Sequence, residues 1–134
     1  MEIAINFWAV IISMVLSVLI GFVWYGPLFG KQWMKLSGIS MPAQKPGFAM
    51  MLKPMIISMI GALLASITLS YSIYFMGGSG VMVGLEAAFW NWLGFMVPVL
   101  LNFVAWEGKS WKLFAINSGY WLVFLCAMGV LLTF

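Results

Sequence analysis

Four long stretches of this sequence contain no lysine at all: 3–24, 54–76, 85–105 and 113–134. Among the carboxylates only Glu86 falls inside one of them, a single position from its edge. Each stretch has about the 20 apolar residues that an α-helix needs to cross a bilayer core. Helices are the expected spanning form, because backbone polar groups must be satisfied inside lipid, and the runs lack the period-2 alternation of a membrane barrel.

The charge content leaves little room for another class. Of 134 residues, 65% are hydrophobic and 7% charged, with no His, where an ordinary soluble domain is about 25% charged. A soluble fold of this size cannot hide that much apolar surface. The expected fold is therefore an all-α integral membrane protein: a four-transmembrane-helix bundle forming a single domain over 1–134, with a short interfacial helix after the first span. The sequence begins Met1-Glu2-Ile3, without the basic region and cleavage site of a signal peptide, so the first run is expected to stay as a helix.

Lysine placement orients the chain. Lys31, Lys35, Lys45 and Lys53 lie between the first and second runs, and Lys109 and Lys112 between the third and fourth. The second connection, Gly77-Gly78-Ser79-Gly80, has no charge. The positive-inside rule then makes the Lys-bearing connections cytoplasmic and puts both termini outside, in a prokaryotic cytoplasmic (inner) membrane. The net charge of +3 is thereby explained without nucleic acid.

The first connection has its own pattern. Phe29, Trp33 and Leu36 recur at i, i+4 and i+7, opposite Lys31 and Lys35. That spacing predicts an interfacial helix over 28–37; the alternative is a solvated loop with incidental aromatics. Ser37-Gly38 ends it, and Pro42 and Pro46 keep the chain irregular until Pro54 opens the second span. Lys31, Trp33, Lys35, Trp111 and Lys112 are the expected contacts with lipid headgroups.

Small residues mark faces for close helix packing. Ser13, Ser17 and Gly21 line the first span; Ser58, Ala62, Ser66 and Ser70 line the second. The simplest arrangement packs these stripes together; a subunit contact is the alternative. The two halves also echo each other, Phe7-Trp8 with Phe89-Trp90, and Gly30–Leu36 with Gly108–Leu113. This is consistent with a duplicated two-helix unit, or with convergence on the Trp and Lys that flank many membrane helices.

The block Gly21-Phe22-Val23-Trp24-Tyr25-Gly26-Pro27-Leu28-Phe29-Gly30-Lys31, then Trp33-Met34-Lys35-Leu36-Ser37-Gly38, resembles the signature of domain-of-unknown-function family 1761. Leu101-Asn102, Glu107-Gly108 and Lys112–Tyr120 extend the resemblance, which departs most between Gly38 and Lys53. It implies a small prokaryotic membrane protein, with no activity, cofactor or substrate to carry over.

Polar residues within spans are where chemistry is sought, since unpaired polar groups are costly in lipid. Asn102 and Asn117 lie about one turn either side of the third connection, at similar depth. Trp24 and Tyr25 end the first span nearby, Tyr120 is one turn from Asn117, and Glu107 lies just beyond. Asn91, Pro98 and Asn102 fall at i, i+7 and i+11, one face of an uninterrupted helix, with the carbonyl of Gly94 freed by Pro98. The candidate polar cavity is thus Trp24, Tyr25, Asn91, Asn102, Glu107, Asn117 and Tyr120. The alternative is helix packing, with the two amides bonded to each other. Glu86 lies about 140° from Asn91 and is expected to be a solvated carboxylate at the outer boundary.

Catalysis is not expected. Without His, and with the single Cys126 deep in an apolar run, the usual acid–base pairs, metal clusters and Cys–His dyads are missing. No catalytic, metal-binding or cofactor-binding residues are assigned. The expected role is transport or permeation of an unidentified small solute or ion by a homo-oligomer, with the lipid bilayer and a second copy as partners. The competing role is a non-catalytic scaffold, accessory subunit or lipid-binding protein.

Overall fold

The computed structural model describes residues 5–38 and 48–134. The expected start of the first span at Ile3, the irregular run at Pro42 and Pro46, and Lys45 lie outside them. Among the described residues the chain is helical with no strand. The helices are α1 (Phe7–Val23), α2 (Gly30–Ser37), α3 (Phe48–Phe75), α4 (Val81–Asn91), α5 (Val97–Glu107) and α6 (Trp111–Leu131). A π turn, Trp24–Leu28, extends α1, and a second, Trp92–Met96, joins α4 to α5. Four helical stretches are long and apolar enough to cross a membrane: Phe7–Leu28, Ala49–Phe75, Val81–Glu107 and Trp111–Leu131.

Local chemistry sets the ends. The Asn6 side chain accepts from the Ala9 N–H at 3.2 Å and Ser110 from that of Leu113 at 3.1 Å, each satisfying a donor that the first helical turn leaves free. The turn between α3 and α4 places Gly77, Gly78 and Gly80 at φ of 122°, 78° and 94°, a region that side chains disfavour. Pro54 sits within α3 rather than opening it. The helix starts at Phe48, and a proline there forgoes one bond early in the helix.

The two π turns share a cause. Pro27 lies within the first, and Pro98 just after the second. A proline supplies no N–H and crowds the carbonyl four residues back. The helix widens by one residue: Phe29 N–H reaches the Trp24 carbonyl and Val97 N–H reaches that of Trp92, both five positions back. A π turn shifts the downstream register by one residue, about 100° of helical phase.

Helix α1 packs along α3, and α4 along α6. Ser13, Ser17, Ala62 and Ser66 are buried, whereas Ser58 at the end of its stripe is exposed. The buried serines return their hydroxyls to their own helices, Ser13 to the Ala9 carbonyl and Ser66 to that of Leu63. Between α4 and α6 the contact is closer still: a Cβ at Gly84 would lie 2.8 Å from the carbonyl carbon of Gly129. Helix α6 is the centre of the bundle, touching α1, α2, α3, α4 and α5. Phe124 and Met128 are its fully buried members. Large apolar side chains such as Trp8, Phe95 and Trp106 point outward, as lipid-facing surfaces require.

The half-to-half echo does not extend to the π turns. Trp24 lies seventeen positions after Phe7 and Trp92 three after Phe89. Nor do the Gly30 and Gly108 segments fold alike, for the first forms the separate helix α2 and the second runs into α6.

Candidate functional site

The Trp24–Leu28 turn aims two aromatic side chains at α6. The Trp24 indole N–H donates to the Ile116 carbonyl at 2.8 Å, and the Tyr25 hydroxyl to Asn117 Oδ1 at 2.7 Å. The Tyr120 hydroxyl donates back to the Ser17 carbonyl of α1 at 3.0 Å. The rings of Tyr25 and Tyr120 lie 5.4 Å apart between centroids, and those of Tyr25 and Trp33 5.1 Å. Four of the seven expected residues, Trp24, Tyr25, Asn117 and Tyr120, therefore come together where α1, α2 and α6 meet.

The other three do not join them. Asn91 donates to the Ser72 hydroxyl at 3.0 Å and to its own helix at Ala87, beside a separate hollow of about 250 Å³. Glu107 is exposed at the end of α5. Asn102 is also exposed, which corrects the expectation that it faces Asn117. Equal depth on either side of the third connection does not fix the face, and the uniform 100° step that grouped Asn102 with Asn91 and Pro98 is interrupted by the Trp92–Met96 turn. Asn117 bonds Tyr25 instead.

A cavity of about 540 Å³ opens beside this cluster, between α1, α2, α3 and α6. Phe22, Tyr25, Trp33, Met51, Met55 and Tyr120 form most of its wall, with Ser17 and Ser58 among the polar members. A second cavity of about 280 Å³ shares Ser17, Ser58 and Tyr120 and continues down to Ala62 and Phe124. From Met51 to Ala62 the two follow α3 for eleven positions, about 16 Å of helix axis. Among the described residues no group of metal-ligating side chains is found.

Residues 8–133 match the family described as protein of unknown function, DUF1761. The chain belongs to that family. No match was found among curated proteins or solved structures. Within this family member, the segment that carried the resemblance is the one that builds the site. Trp24–Leu28 is the π turn, Gly30 begins α2 where a Cβ would clash with the Tyr25 carbonyl, and Trp33 closes the cavity.

Three contributors were not legible in the sequence. Trp92 donates its indole N–H to the Ser118 carbonyl at 2.8 Å, a second indole tether onto α6. Met51 and Met55 were unremarkable in an apolar run, and only the packing of α3 brings them to the cavity.

Proposed function

We propose that this membrane protein is a non-enzymatic, homo-oligomeric permeation or transport protein of the prokaryotic cytoplasmic membrane. Its Lys-bearing connections are cytoplasmic, and the cavity between α1, α3 and α6 admits a small, largely apolar solute. The observation that carries this reading is the pair of adjoining cavities sharing Ser17, Ser58 and Tyr120, which run from the level of Trp33 toward mid-bundle. A preformed, mostly apolar hollow with a few fixed polar groups is the usual form of a small-molecule site. A path confined to one four-helix chain is narrow, so assembly of several copies belongs to the proposal.

One observation favours the competing scaffold reading: the hydroxyl and indole groups of Trp24, Tyr25 and Tyr120 already have partners within the protein. Substituted-cysteine labelling on a Cys126→Ser background separates the two. A hydrophilic thiol reagent should modify Ser58→Cys in the cavity and spare Ile60→Cys, on the exposed opposite face of α3. If Ser58→Cys is as inert as Ile60→Cys, the cavity is not hydrated and the scaffold reading takes its place.

A further inference from the structure

The geometry points to a weakly hydrated organic cation, of the quaternary ammonium type, as the class of solute that the larger cavity prefers. This inference rests on the solute-site reading above and adds the sign and kind of charge.

The protons of three lining hydroxyls are already committed within the protein. Tyr25 gives its O–H to Asn117 Oδ1, Tyr120 to the Ser17 carbonyl, and Ser17 to the Met14 carbonyl. A hydroxyl has one proton to give and two lone pairs to offer, so these three groups have only oxygen lone pairs left for a guest. Pro54, also in the lining, has no N–H. The remaining side-chain donors in the lining are the indole N–H of Trp33 and the hydroxyl of Ser58, which is exposed. The rest of the wall is electron-rich as well. Phe22, Tyr25, Trp33 and Tyr120 bring aromatic rings, whose faces are negative, and Met51 and Met55 bring polarisable thioethers.

A wall rich in acceptors and π-faces disfavours anions. Small metal cations are disfavoured too, because no carboxylate among the described lining residues repays their dehydration. A quaternary ammonium surrenders little hydration and is drawn to aromatic faces. Its alkyl groups suit the apolar remainder of the wall.

The test compares two ligands of nearly equal shape, benzyltrimethylammonium and its uncharged carbon analogue neopentylbenzene. Each is titrated by equilibrium dialysis against the full chain in uncharged maltoside micelles, with protein-free micelles as blank. The cation should bind about tenfold more tightly than the neutral analogue, the scale of one or two desolvated cation–π contacts. Trp33→Leu should cut that preference to about threefold or less while neutral binding persists. Trp33→Phe, which keeps a ring face and loses the N–H, should retain most of the preference. Equal binding of the two ligands overturns the inference and leaves the solute site standing. A preference unchanged in Trp33→Leu also overturns it, by removing the aromatic wall as its source. Binding of neither ligand, with Ser58→Cys reactive to a hydrophilic thiol reagent, overturns the inference alone. Binding of neither, with Ser58→Cys inert, overturns the solute site as well.

Discussion

Gly84 of α4 and Gly129 of α6 lie backbone against backbone, each occupying the space that a Cβ on the other would need. In lipid, where apolar burial does little to join helices, such close approach brings the dispersion contacts that do. Replacing either residue by alanine must push the helices apart, with a cost of about 2 kcal/mol on the scale of overpacked cores. Thermal melts in detergent should show Gly84→Ala and Gly129→Ala strongly destabilised. Gly61→Ala, with nothing within 4 Å of its Cβ position, should be neutral or slightly stabilising. Similar midpoints for all three would mean that α4 and α6 do not meet at these glycines.

The Tyr25–Asn117 bond is open to a double-mutant cycle. Tyr25→Phe and Asn117→Leu should each lower stability by about 1 kcal/mol, the usual scale for a hydrogen bond between membrane helices. The double variant should lose less than the sum, because both changes remove the same bond. Strict additivity would show that the two side chains act independently.

Asn102 should behave differently from Asn117. Its side chain is exposed on α5, so Asn102→Leu in isolated, detergent-solubilised chains should change stability by roughly 0.5 kcal/mol or less. A loss as large as that of Asn117→Leu would return Asn102 to the interior and restore an uninterrupted helical phase through the third span.

Orientation is tested with thiols on a Cys126→Ser background. A membrane-impermeant reagent applied to intact cells should label Ser79→Cys and spare Lys35→Cys. The reverse pattern would invert the assignment made from the lysines.

The spans were legible because lipid leaves so few alternatives: a run of twenty apolar residues without charge is a helix almost by exclusion. The faces of α1 and α3 were legible too, since small residues at every fourth position mark close approach whatever the partner. Ser13, Ser17, Ala62 and Ser66 are buried accordingly. Legibility failed where one proline changed the pitch. Pro98 signalled a disturbance in the third span, but a kink and a π turn begin from the same missing N–H, and only the π turn rotates the helix beyond it. Asn102 left the expected face for that reason, whereas Asn117 and Tyr120, on the uninterrupted α6, stayed where periodicity put them. The Gly84–Gly129 crossing was hidden for a different cause, as a single glycine in an apolar run carries no mark of the helix it will meet.

The central position of α6 has a consequence for biogenesis. A ribosome delivers α1, α3 and the α4–α5 span to the membrane before the helix on which all of them converge. The α1–α3 pair has its own buried seam, formed by Ser13, Ser17, Ala62 and Ser66. The α4–α5 span meets α3 through the Asn91–Ser72 bond, but the close seam of Gly84 forms only with Gly129 of α6. Arrival of the last helix therefore completes the bundle, supplying the Gly129 side of the α4 crossing and the Tyr120 wall of the cavity.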